Sequence, residues 1–124
     1  MLASRIAAAA ALSLLFVPPA PAQRAGVTVT VWSFGFAPHP LQLAAGKPVT
    51  LTFANRSGSH HDFTAVGFFR DAKILSGSAP DGEIELMPND TKSITLIPHA
   101  GTYKAHCSHF MHKQLGMSDE IIVS

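Results

Sequence analysis

The chain is short of cysteine, of charge and of long apolar runs. It has 124 residues, one cysteine and only 14% charged residues. A lone cysteine, Cys107, excludes an internal disulfide. In an exported chain, an unpaired cysteine implies an intermolecular bridge, an inert buried thiol or a thiol with a chemical task. Lysine and arginine together number 9 against 8 acidic residues, with no basic cluster, so nothing suggests a nucleic-acid partner or a polybasic membrane surface. The only long apolar run, Ile6 to Val17, falls short of the ~20 residues needed to span a bilayer. It follows Arg5 and precedes Ala20-Pro21-Ala22, the layout of a secretory signal peptide. The expectation is therefore a cleaved leader over residues 1–22 and one exported domain over residues 23–124. The destination is the periplasm, with no stable membrane insertion after cleavage. Removing Arg5 leaves the rest formally neutral, and a monomer is expected.

Against these shortages stand seven histidines, nine prolines and nine glycines. Short apolar or alternating runs are separated by turn residues throughout. The strands expected are Val27 to Phe34, Leu41 to Leu43, Val49 to Asn55, His61 to Val66, Glu83 to Leu86, Lys92 to Ile97, Thr102 to Cys107 and Glu120 to Val123. Asp81-Gly82, Met87-Pro88-Asn89-Asp90 and His99-Ala100-Gly101 punctuate them. A short helical insertion is expected around 67–80, where Phe68, Phe69, Ala72, Ile74 and Leu75 cluster. Seven or eight short strands with regular turns argue an all-β antiparallel sandwich or barrel.

Strand parity then singles out a site. In Tyr103 to Cys107 a period of two puts Tyr103, Ala105 and Cys107 on one face, so Cys107 points inward at a strand's end. Cys107, His112 and Met117 follow one another at intervals of four intervening residues on the loop leaving that strand. Thiolate and imidazole suit both Cu(I) and Cu(II), and a thioether is soft. A second imidazole must come from a distant strand. His61 is the best placed, since it shares a face with Phe63 and Ala65, and an inward imidazole there needs a partner for its ring nitrogens. His109, two residues after Cys107, is the alternative to His112. Taken singly, Cys107 and Met117 each fit ordinary core packing; together with His61 and His112 they point to a metal.

Phe36-x-Pro38, Gly46-Lys-Pro-Val-Thr-Leu-Thr-Phe-x-Asn55, His61-Asp-Phe63, Gly101-Thr-Tyr103 and Cys107…His112…Gly116-Met117 resemble the cupredoxins. These are small type 1 blue copper proteins of the plastocyanin, pseudoazurin and rusticyanin kind. The resemblance covers residues 27 to 123. It implies a Greek-key β-sandwich with one copper ion at one end. It also implies His61, Cys107 and His112 as equatorial ligands and Met117 as the weak axial one. One departure is Asp62, where many members carry asparagine next to the first ligand.

Two functions follow from such a site. One is electron transfer between redox partner proteins, with Phe110, Met111 and Leu115 flanking His112 as a docking patch. The other is copper sequestration or delivery to an acceptor protein, with His60, His106, His109 and Met111 as a collecting surface. An enzyme is not expected: a trinuclear copper oxidase needs several His-x-His pairs, which the chain lacks, and inward parity hides Cys107 from a substrate. Zinc in the same four ligands would be redox-silent.

Overall fold

In the computed structural model, the described residues are 9–11, 13, 15, 25–109 and 117–124. The strands are β1 (Ala25–Trp32), β2 (Gly35–Ala37), β3 (Leu41–Leu43), β4 (Val49–Asn55), β5 (His61–Thr64), β6 (Lys73–Ser76), β7 (Glu83–Leu86), β8 (Thr91–Ile97), β9 (Gly101–His106) and β10 (Ser118–Val123). A short helix, α1 (Val66–Asp71), follows β5. The strands form two five-stranded sheets ordered β2-β1-β4-β8-β6 and β3-β10-β9-β5-β7. The expected β-sandwich is present. Most neighbours are antiparallel, while β1 with β4 and β3 with β10 run parallel.

Alternation explains why these segments are strands. On β4, Val49, Leu51 and Phe53 are buried at every second position, while Thr50 and Thr52 face outward and bond Thr95 and Ser93 across to β8. On β9, Ala105 is buried and Lys104 exposed, as parity requires. Phe63 lies at the centre of the core, with Phe36 edge-on at 5.3 Å, Phe53 at 4.8 Å and Phe69 at 6.3 Å between ring centroids. Such aromatic pairs contribute about 0.5–1.5 kcal/mol each beyond their buried area. Helix α1 carries Phe68 and Phe69 into this core and so caps the sandwich beside Tyr103.

Two elements differ from expectation. The first strand ends at Trp32, and Ser33-Phe34 form a turn into β2, which pairs back onto β1. The helical insertion covers only Val66–Asp71; Ile74 and Leu75 belong to β6, paired with β8. All four β6 residues are exposed, so no alternation marked the segment as a strand.

Topology fixes where a site can form. β9 runs antiparallel to both β5 and β10. Thr64 of β5 and Ser118 of β10 both face His106, so the chain just past β9 runs back along β5 towards its start, and these segments meet the chain entering β10 at one end of the second sheet. His61, Cys107 and Met117 occupy those three positions.

Candidate metal centre

The loop before β5 is anchored by Asn55, which is buried. Its amide donates to the carbonyls of Ser59 (2.8 Å), Leu86 (3.2 Å) and Met87 (3.0 Å). Its side-chain oxygen accepts from Ser57 N–H at 3.1 Å and Ser57 Oγ–H at 2.8 Å. This one amide closes the loop and presents His61 at the first position of β5, opposite Leu86.

His61 and Cys107 are both fully withdrawn from solvent. His61 Nδ1 lies 3.9 Å from Cys107 Sγ, although 46 residues separate them in sequence. Bonds of about 2.3 Å to sulfur and about 2.0 Å to nitrogen, meeting at about 110–130°, place two donors about 3.5–3.9 Å apart. The observed separation thus matches what one shared ion requires. Met117 is also fully buried, and its carbonyl accepts the Cys107 N–H at 3.0 Å, which pins the two ends of the intervening loop together. His112, the fourth predicted ligand, lies outside the described residues, as do Phe110, Met111 and Leu115.

Burial pushes the Cys107 thiol up from its ordinary pKa, and the backbone N–H groups of Asp62 and His109 act in the opposite direction. A metal displaces the thiol proton, because the thiolate is the ligand form.

Asp62 is the residue whose role parity alone did not reveal. Its alternate position on β5 puts it on the outer face, yet it is fully buried. Its Oδ1 accepts from Thr64 Oγ1–H at 2.6 Å and from Ser108 N–H at 2.9 Å, and its Oδ2 accepts from Ser108 Oγ–H. Asp62 therefore bolts the strand carrying His61 to the residue after Cys107. A single carboxylate sets the spacing of two predicted ligands.

The other histidines separate by location. His109 Nε2 faces Asp62 Oδ2 at 3.5 Å and Glu85 Oε2 at 3.9 Å, and its ring meets that of His60 edge-on with centroids 4.4 Å apart. His109 thus stands on the outer face with His60 and carboxylates, across β5 from the inward His61. His106 lines a different groove, with His39, Lys104 and Asp119. The expected collecting surface is therefore divided: His60 and His109 stand together, and His106 is apart from them.

A two-sheet β-sandwich with an inward histidine and cysteine at one end defines a class of small metal-binding domains. The sequence matches the family of cupredoxin-like domains over residues 5–123, and the chain belongs to that family. Membership implies one copper ion as cofactor, and the donor set described above fits it. Among solved structures, the chain is similar to dithionite-reduced auracyanin from Roseiflexus castenholzii. The identity is 18% and the TM-score 0.61, over 80% of this chain and 96% of the other. It is similar to auracyanin B at 20% identity and TM-score 0.56, over 87% and 93%. It also resembles a multicopper oxidase from Campylobacter jejuni at 14% identity and TM-score 0.63, covering 87% of this chain but 31% of the oxidase. At these identities the likeness concerns the fold. No curated protein sequence matches the chain significantly.

Proposed function

We propose that the protein is an exported type 1 copper protein that carries single electrons between redox partners, with His61, Cys107, His112 and Met117 as ligands. The leader over residues 1–22, a periplasmic destination and a monomeric state belong to the same proposal. The observation that carries it is the buried His61–Cys107 pair at 3.9 Å. His112 enters through its place between Cys107 and Met117 in sequence, and the outward placement of His109 supports that choice.

Copper bound there supplies a one-electron couple between Cu(I) and Cu(II). The chain's own residues supply the rest. Asp62, Ser108 and Thr64 hold the donors at a fixed spacing, so little movement accompanies a change of charge. Phe63 and its neighbouring rings exclude water from the inner side. Asp62 and His109 aim backbone N–H groups at the sulfur and stabilise its thiolate. Similarity to an auracyanin characterised after dithionite reduction is consistent with a redox role.

Copper sequestration or delivery is the second reading. It draws support from the outward grouping of His60 and His109 near the buried pair. Adding Cu(II) to the purified protein separates the possibilities. Electron transfer predicts an intense thiolate-to-copper band in the visible, lost in Cys107→Ser, together with fast reversible redox cycling. A site that binds copper but exchanges it with an acceptor faster than it cycles supports the delivery reading. Failure to develop the band refutes the type 1 assignment.

A further inference from the structure

On the outer face of the second sheet, three side chains from three separate segments converge. His60 precedes β5, Glu85 sits on β7 opposite Asp62, and His109 follows β9 by three residues. One nitrogen of each imidazole and one oxygen of Glu85 all lie within 4.8 Å of one another. His60 Nε2 is 2.5 Å from Glu85 Oε2, and the two rings are 4.4 Å apart at 60°. His60 and His109 are half-buried and Glu85 is exposed, so the group opens to solvent. From these positions we propose a second metal site, at the surface, that binds one divalent first-row cation through His60, Glu85 and His109. This site uses none of the buried donors and does not depend on their occupancy.

The chemistry narrows the ion. Two imidazoles and one carboxylate are borderline donors that suit Cu(II), Ni(II) and Zn(II), whereas Ca(II) and Mg(II) demand oxygen ligands throughout. The Irving–Williams order makes Cu(II) the tightest of the three. Three protein ligands on one side leave the solvent side open to water. Asp62 Oδ2 lies 3.5 Å from the same His109 Nε2 that faces Glu85 at 3.9 Å, so a second carboxylate holds that ring at this face. The arrangement differs from a surface ion pair in one respect: both imidazoles face the same carboxylate from different segments.

The test is titration of the full exported domain with Cu(II) to two equivalents, followed by electron paramagnetic resonance. A thiolate-bound copper gives a narrow parallel hyperfine splitting, and a copper held by nitrogen and oxygen gives a wide one, so the two sites are read separately. The site predicts a wide-splitting signal with imidazole nitrogen couplings and a Kd below about 100 μM. It also predicts that His60→Asn and Glu85→Gln each weaken this signal by about tenfold or more while leaving the narrow signal intact. Both effects should persist in the Cys107→Ser background, where the buried site no longer has its thiolate. A wide signal unchanged in both variants, or no wide signal at all, overturns the proposal and leaves a surface ion pair only. Loss of the narrow signal alone would instead count against the buried centre.

Discussion

Replacing Asp62 tests whether one carboxylate sets the spacing of the buried donors. Its three hydrogen-bond donors are Thr64 Oγ1, Ser108 N and Ser108 Oγ, His109 Nε2 stands further off at 3.5 Å, and Asp62 itself is fully buried. Hydrogen bonds to charged groups contribute about 1.5–3 kcal/mol each, but removing the carboxylate also removes its own desolvation cost of several kcal/mol. The two hydroxyls can turn; Ser108 Oγ already has Glu83 Oε1 at 3.5 Å. The Ser108 N–H cannot turn, and leaving it unsatisfied costs about 1–3 kcal/mol. Asp62→Ala should therefore lose about 2–4 kcal/mol in the metal-free protein, with the remainder coming from the two hydroxyls and the small void. Asp62→Asn keeps one oxygen for the backbone N–H and can donate to Ser108 Oγ, so it should lose only about 0.5–1.5 kcal/mol. With a slope of about 1.5 kcal/mol per molar urea, the alanine variant unfolds at a midpoint lower by about 1.3–2.7 M. Urea unfolding monitored at Trp32 measures both variants. An alanine variant as stable as the parent, or an asparagine variant as damaged as alanine, refutes the positioning role.

Other substitutions probe the frame around the site. Met117 is fully buried, so Met117→Ala should destabilise the metal-free protein by about 2–5 kcal/mol, while the volume-conserving Met117→Leu should cost less than about 1.5 kcal/mol. Leu should nevertheless alter the visible spectrum of the copper-loaded form if the thioether is a ligand. At Gly82, φ is +74° and an added Cβ would stand 2.6 Å from Val66 Cα, so Gly82→Ala should lower the melting temperature substantially, whereas Gly26→Ala, with open space around it, should not. The Glu83 carboxyl is raised to about 7, first by its hydrogen bond with Glu85 and then by burial and the charge of Asp62. A raised acid binds its proton more tightly when folded, so its contribution to stability is present below about 4.5 and lost as pH rises through about 7. Glu85 is shifted down and opposes this in sign. Urea midpoints between pH 4.5 and 7.5 should fall less steeply in Glu83→Gln than in the parent; an unchanged slope contradicts the pairing.

Much of the frame was legible because alternation survives wherever one strand face is buried. Leu41–Leu43, Val49–Asn55 and Glu83–Leu86 occupy the spans that the pattern of apolar residues and turn signals indicates. The hairpin to β2 was hidden because the run of Val, Thr and aromatics up to Phe34 reads as one strand, while the turn at Ser33-Phe34 ends it at Trp32, leaves Phe34 exposed and buries Phe36 on β2. β6 was hidden because it lies at the sheet edge with every side chain exposed. At the site, inward parity of Cys107 and His61 was readable and both are buried. Asp62 was not, since parity assigns it to the outer face and only the return of Ser108 over it makes it interior. Of the surface trio, Glu85 escaped for a related reason. Glu85 meets His60 and His109 only through the pairing of β5 with β7, and strand neighbours 25 residues apart leave no periodic trace.

The central claim is that an imidazole at position 61 and the sulfur at position 107 bind the same ion. X-ray absorption at the copper edge, on protein loaded with one equivalent of copper, measures this directly. The account predicts one short sulfur scatterer together with two imidazole nitrogens, the sulfur lost in Cys107→Ser and one nitrogen lost in His61→Gly. A first shell of nitrogen and oxygen alone, unchanged by either substitution, would contradict it.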